Sequence, residues 1–219
     1  MIASFDWGPI LRNLPALLAG MRLTLALTAL AILGGLALGT LLAIAQISPI
    51  RILSKLATLY VDLFRSIPLI LAVFWFYFLV PLLLGRPVGP FLSVLAGFVF
   101  FEGAYFAEIV RAGLQSVRRS QIAAALATGL TGTQVLRYVV LPQAFRNMLP
   151  VLLTRGIVIF QDTALAFVVG LTDFMTSVSI VADRDGRPVE LYLFAAAVYL
   201  IFSLIAEMGV RWTQNSPAQ

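Results

Sequence analysis

Arg118-Arg119-Ser120-Gln121-Ile122-Ala123-Ala124-Ala125-Leu126-Ala127-Thr128-Gly129-Leu130 opens the one long stretch of this chain, residues 118–150, that a bilayer would not take up whole. The stretch runs on through Val140-Leu141-Pro142-Gln143-Ala144 to Pro150, with hydrophobic segments on both sides. Its alanines have high helix propensity, Gly129 supplies the left-handed turn that ends a short helix, and Pro142 forbids a helical hydrogen bond further on. The segment therefore reads as a helix, a tight turn and a second helix start, lying outside the bilayer. Arg118, Arg119, Arg137 and Arg146 put it on the cytoplasmic side by the positive-inside rule. A folded cytoplasmic loop between spans implies a docked partner.

The rest of the chain is what makes such a loop stand out. With 61% apolar residues, 11% charged ones and a mean hydropathy of +0.99, it carries more apolar surface than a water-soluble domain can hide. The chain reads as an integral membrane protein of all-α class. A span takes about 20 apolar residues, so 219 residues are used up by roughly five or six spans and short loops. No Gly-x-x-x-x-Gly-Lys-Ser/Thr sequence occurs, so ATP is not bound here by that route. The net charge of +5 is spread singly and forms no basic run, which fits membrane orientation and excludes a nucleic-acid surface. The chain has no cysteine and no histidine, hence no disulfide, no thiolate metal site and neither of the commonest catalytic bases or metal ligands. Asp6, Pro9 and Pro15 stand where a signal peptide needs a basic region and an apolar core.

Five spans fit the pattern. The first runs from about Leu23 to Ala45 and holds Gly35-x-x-x-Gly39 beside Gly34, small residues that admit another helix closely, either in a second subunit or within the same one. Residues 46–66 are more polar, and Asp62 and Arg65 have the spacing of a weak helix-surface pair. The second span, Ile67 to Leu84, is dense in aromatics. The third, Pro90 to Val110, carries Glu102 and Glu108, with Glu108 and Arg111 spaced to pair near the headgroups. The fourth, Met148 to Leu171, carries Arg155 and Asp162; the fifth runs from Leu191 to Val210. A cytoplasmic 118–150 segment then places the N-terminus in the periplasm and the C-terminus in the cytoplasm. The outer loop 172–190, with Asp173, Asp183, Asp185 and Glu190 against Arg184 and Arg187, is net acidic, as that orientation requires.

A charge in mid-span costs on the order of 3 kcal/mol on insertion scales, so it faces protein or a wet cavity. Arg155 and Asp162 lie two helical turns apart on one face. Two readings stay open: a transport pathway in which Arg155 holds a substrate carboxylate by a bidentate bond, or an ion pair of Arg155 with Glu102 or Asp162 that ties helices together.

The order Ser120-Gln121, Ala123-Ala124-Ala125, Gly129, then Val140-Leu141-Pro142 resembles the cytoplasmic coupling loop of ABC importer permeases, with Ala123 standing where that family shows glutamate. Phe64-Arg65-Ser66-Ile67-Pro68-Leu69, Ala104 to Gly113, and Phe160-Gln161-Asp162-Thr163 are similar to polar amino-acid permeases, most of all to glutamate/aspartate permeases. The resemblance covers nearly the whole chain. It implies a single permease domain over residues 1–219, with a core of about 20–212 and a coupling loop of about 117–146. It implies a multi-pass protein of the bacterial inner membrane that imports glutamate or aspartate, or alternatively glutamine, arginine or histidine. A stand-alone channel or secondary carrier is the rival from another class. The implied partners are a second permease, identical or homologous, two ABC ATPases that hold the ATP and magnesium, a periplasmic binding protein and membrane lipid. By the same resemblance Ser120, Gln121, Ala123, Ala124, Ala125, Gly129 and Leu130 meet the ATPase. Glu102 and Arg155, as mid-span charges that match no family motif, join Gln161 and Asp162 of the family-like Phe160-Gln161-Asp162-Thr163 as the expected pathway lining. By the resemblance Asp183, Arg184, Asp185 and Arg187 help receive the binding protein.

Overall fold

The computed structural model describes residues 5–215, with side chains as far as Arg211; the outermost residues of the expected 1–219 domain lie outside the described ones. Among the described residues the regular structure is helical throughout. A short α1 (Gly8–Arg12) leads into α2 (Leu14–Gln46), followed by α3 (Arg51–Arg65), α4 (Leu69–Leu84), α5 (Pro90–Gln115), α6 (Arg119–Ala127), α7 (Gly132–Val169), α8 (Phe174–Asp185) and α9 (Pro188–Asn215). Helices α2, α5, α7 and α9 are long and apolar enough to cross a membrane, and the bent pair α3–α4 makes a fifth candidate, in line with the five spans expected.

α2 is 33 residues long, about 50 Å at the helical rise, so Asn13 and Gln46 mark opposite ends of the bundle. It packs along α5 through its glycines. A Cβ added at Gly35 would lie 3.0 Å from Glu102 Cβ, and one at Gly39 only 2.5 Å from Phe106 Cβ and 2.8 Å from the Ala107 nitrogen. The Gly35-x-x-x-Gly39 pair thus serves packing within the subunit. Leu27, Ala31, Phe98, Phe106 and Ile159 form the main core across α2, α5 and α7. A second core joins Leu17, Phe174 and Leu191 at the Asn13 end.

The polar stretch 46–66 is a helix for most of its length. Its charged stripe, Arg51, Lys55, Asp62 and Arg65, recurs at helical spacing, Ala57, Val61 and Phe64 turn inward, and Ile52, Leu56, Leu59 and Leu63 stay exposed. At Ser66-Ile67-Pro68 the chain bends by 106° into α4. Pro68 cannot donate a backbone hydrogen bond and holds Ile67 away from helical geometry, which places the break there.

α7 begins much earlier than the Met148 expected of the fourth span and runs straight through Pro142 and Pro150. Its start is a capping box: the Thr131 amide donates to Gln134 Oε1 at 2.8 Å and the Gln134 amide to Thr131 Oγ1. Pro142 is absorbed by a π-helical turn at Leu136–Val140, and a second π turn, Trp75–Leu79, stands in the same relation to Pro81. A proline ring collides with the carbonyl four residues back, here Tyr138 and Tyr77, and both lie inside the widened turns that move that carbonyl aside.

The segment 172–190, expected as a loop, is mostly helix. Asp173 caps α8, its carboxylate accepting from the Met175 and Thr176 amides, and the Phe174 amide donates to Thr24 Oγ1 of α2. Burial pushes the Asp173 carboxyl above its ordinary range, against the pull of its bonds from Thr176.

Candidate functional site

Halfway along α5, Glu102 points straight at α7. Its carboxylate is wholly enclosed and accepts two bonds from one guanidinium, from Arg155 Nε at 2.7 Å and Nη2 at 2.8 Å. Of the partners open to Arg155 the fold selects Glu102; Asp162, two turns along the same helix, makes no ion pair or hydrogen bond among the described residues. The fork uses one edge of the guanidinium. Nη1 donates to nothing among the described residues, and the Arg155 side chain remains 17% exposed. Its carbon sits 4.0 Å from the centre of the Tyr105 ring, a cation–π contact that holds the plane from behind.

Nearly two turns further along α5 the pattern repeats nearer the helix end. Glu108 accepts from Arg111 Nε at 3.0 Å and Nη2 at 2.7 Å, from Gln46 Nε2 at 3.2 Å, and lies 3.6 Å from Arg65 Nη1. The expected Glu108–Arg111 pair forms. Arg65, spaced to pair with Asp62, instead reaches Glu108 and lies 5.7 Å from the Tyr105 ring. Asp62, Arg65, Glu108 and Arg111 line a polar cavity of about 510 Å³ where α2, α3 and α5 come together. Sequence reading left Tyr105 and Arg65 out of the site. The signal was there in the stripe Glu102, Tyr105, Glu108, Arg111, repeated at every third residue of α5.

Asp162 stands where α7 tightens into a 3-10 turn, Thr163–Val169, which Gly170 ends with φ +72°. Its neighbour Gln161 donates to Ser203 Oγ of α9 at 3.0 Å. Glu102 and Arg155 are thus joined directly, with Asp162 on the same α7 face as Arg155, its carboxylate in no hydrogen bond or ion pair among the described residues, and Gln161 turned toward α9.

Four residues beyond Gln115, α6 stands off the bundle on one face. Ile122, Ala125 and Leu130 pack on Val117, Val135, Val140 and Ala144, while Ser120, Gln121, Ala123, Ala124 and Leu126 are exposed. Gly129 holds φ at +88°, in the left-handed region, and turns the chain into the Thr131 cap. α6 is thus a narrow helix of small residues, held at both ends, whose outer face is exposed.

Residues 35–216 match the family described as the inner membrane component of binding-protein-dependent transport systems. The chain belongs to that family. It is 43% identical over 221 residues to the glutamate/aspartate import permease protein GltK of Escherichia coli O6:H1, covering 98% of this chain and 99% of GltK. It is 31% identical over 208 residues to the glutamine transport system permease protein GlnP of Escherichia coli K12, covering 94% and 95%. Among solved structures, an amino acid ABC transporter with histidines matches with a TM-score of 0.89 at 29% identity, over 94% of this chain and 96% of that one. The MetNI methionine ABC transporter matches in fold, with a TM-score of 0.70 at 21% identity, over 92% and 98%.

In this member of the binding-protein-dependent family, the charges at the Asn13 end are largely spent on one another. Arg184 donates from Nε to Asp185 Oδ1 at 2.9 Å and from Nη2 to Asn13 Oδ1 at 2.6 Å, and Asn13 Nδ2 reaches Asp185 Oδ2 at 3.4 Å. The Arg184 guanidinium holds the Asp185 carboxyl below its ordinary range. Arg187 pairs with Glu190 at 3.0 Å. Of the four residues assigned to a binding protein by resemblance, Arg184 and Asp185 therefore also fasten α8 to the start of α2, and Asp183 carries no side-chain bond among the described residues.

Proposed function

We propose that this chain is the permease subunit of an ATP-driven importer of acidic amino acids, glutamate and aspartate, in the bacterial inner membrane. The observation that carries the substrate class is the unspent Nη1 edge of Arg155, a mid-span guanidinium aimed by Glu102 and Tyr105 and still partly exposed. Such an edge takes a carboxylate bidentately, and Asp162, whose carboxylate makes no hydrogen bond or ion pair among the described residues, suits the α-ammonium. The end-to-end likeness to a glutamate/aspartate permease supports the same class.

The chain supplies no chemistry. Two permeases, this one with a copy or a homologue, enclose the pathway. Two ATPases bind ATP and magnesium below, and a binding protein delivers substrate above. The exposed face of α6, Ser120, Gln121, Ala123 and Ala124, with Ala125, Gly129 and Leu130 behind it, takes the push of the ATPases. ATP binding opens the pathway outward, and hydrolysis resets it inward. The N-terminus is periplasmic and the C-terminus cytoplasmic, so Asp183 and its neighbours on α8 face the binding protein.

The test is uptake into proteoliposomes holding this permease with its ATPase and binding protein. Labelled glutamate accumulates with ATP, and the chain alone gives no flux. Arg155→Gln is made together with Glu102→Gln, so that neither charge is left bare. The double variant lowers glutamate uptake at saturating binding protein by about tenfold or more, the loss of one charge-assisted bidentate bond. Undiminished uptake removes Arg155 from the substrate site. Uptake of glutamine without glutamate, in line with the likeness to GlnP, removes the acidic reading.

A further inference from the structure

We propose that Arg65 is a second carboxylate-binding residue, and that Arg65 and Arg155, set about the Tyr105 ring, select dicarboxylic over monocarboxylic amino acids. The inference rests on the acidic reading above and names the residue that would make it a specificity.

Arg155 lies 4.0 Å and Arg65 5.7 Å from the centre of one ring, so the two guanidinium carbons are within about 10 Å of each other. Both have donors to spare. Arg155 keeps Nη1. Arg65 makes no hydrogen bond among the described residues, its approach to Glu108 being 3.6 Å, and its side chain is 41% exposed. Arg111, by contrast, spends Nε and Nη2 on Glu108 and Nη1 on Gln115, so it has little left to offer a ligand. A paired guanidinium and carboxylate stand about 4 Å apart, carbon to carbon, and the two carboxylates of glutamate are about 5 Å apart at full stretch. A dicarboxylate therefore reaches both cations with slack, whereas an amide side chain brings no charge to the second.

The backbone marks the same place independently. Arg65 is the last residue of α3, at the 106° break before α4. The first turns of α4 touch the 3-10 segment Thr163–Val169, the break that follows Asp162 in α7. Irregular backbone at membrane depth persists where it is buried in protein or lines a cavity, and transporter sites are commonly built from such discontinuous helices. One guanidinium stands at the first break, and the helix that leaves this break packs on the second, two turns beyond Arg155, an arrangement that suits a ligand site better than a structural ion pair alone.

The experiment is calorimetric titration of the purified permease–ATPase complex, without binding protein, with L-glutamate and with L-glutamine. Wild type prefers glutamate. Arg65→Gln weakens glutamate binding about tenfold and leaves glutamine within about twofold, while Arg65→Lys recovers part of the glutamate affinity. A merely structural Arg65 moves both ligands together or neither, and either result overturns the proposal. Wild type that binds no glutamate overturns the acidic reading itself, and this inference with it. Because Arg65 is half exposed, complex yield serves as the folding control and stays unchanged.

Discussion

Glu102 and Glu108 sit on the same helix, less than two turns apart, and each holds an arginine by the same two-pronged contact, yet their surroundings differ in every other respect. Glu102 has no exposed surface and one partner, brought in from α7. Glu108 is 24% exposed and draws Arg111 from its own helix, Gln46 from α2 and Arg65 from α3. The seal over Glu102 comes from α2, where Gly35 lets the helix approach to within a methyl group of the Glu102 Cβ. Toward its end α2 carries Gln46 instead of a small apolar residue, and the region around Glu108 opens into a polar cavity. The same pair of residue types thus serves as a buried strut in one place and a hydrated junction in the other, and the neighbouring helix decides which.

The largest consequence falls on the strut. Glu102→Gln alone strands a guanidinium that is largely out of water, and removing one partner of such a pair costs up to about 3–5 kcal/mol. Thermal unfolding of the purified complex drops steeply, or the complex fails to assemble. Adding Arg155→Gln restores most of the loss, since two amides leave no bare charge. If Glu102→Gln unfolds at the wild-type temperature, the interior at Glu102 is wetter than its burial implies and the contrast with Glu108 dissolves.

The seal can be attacked without touching either charge. Gly39→Leu places its Cβ against Phe106 Cβ and the Ala107 backbone. Those atoms belong to a helix and yield only if α2 and α5 move apart, so overpacking costs about 1–3 kcal/mol. The same substitution at Gly132, where a Cβ meets nothing within 4 Å, is the control. A loss at Gly39 alone, read as a lower unfolding temperature, places the dry contact between α2 and α5. Equal losses at both would assign the effect to the glycine-to-leucine change itself.

How much of this was legible beforehand follows from range. The membrane class, the candidate spans and the α6–Gly129 turn depend on composition and local propensity, which the sequence states directly. The partner of Arg155 does not: Asp162 is seven residues away on the same face, Glu102 is fifty-three away, and only the packing of α5 on α7 chooses between them. α8 reads as a loop, and α3 only as a polar stretch with one helix-spaced pair, because their charges lower the hydropathy that marks a span, although the stripe Arg51, Lys55, Asp62, Arg65 and the Asp173 cap carry the local signal. Pro142 was given too much weight, since a π turn absorbs what an α-helix cannot.

The smallest effect belongs to the junction. Glu108→Gln removes an acceptor that water partly replaces, and exposed pairs contribute no more than about 1 kcal/mol. Its partners are not stranded either: Arg111 keeps Gln115, and Arg65 and Gln46 lie in the polar opening. The unfolding temperature of the complex therefore shifts little. Raising ionic strength narrows the difference from wild type further, because partly exposed charges are screened as the Debye length shrinks. The Glu102→Gln deficit, sheltered from solvent, stays nearly constant over the same salt series. A Glu108→Gln loss as large and as salt-insensitive as that at Glu102 would mean that the junction closes over in the assembled transporter. The two carboxylates would then be struts of one kind.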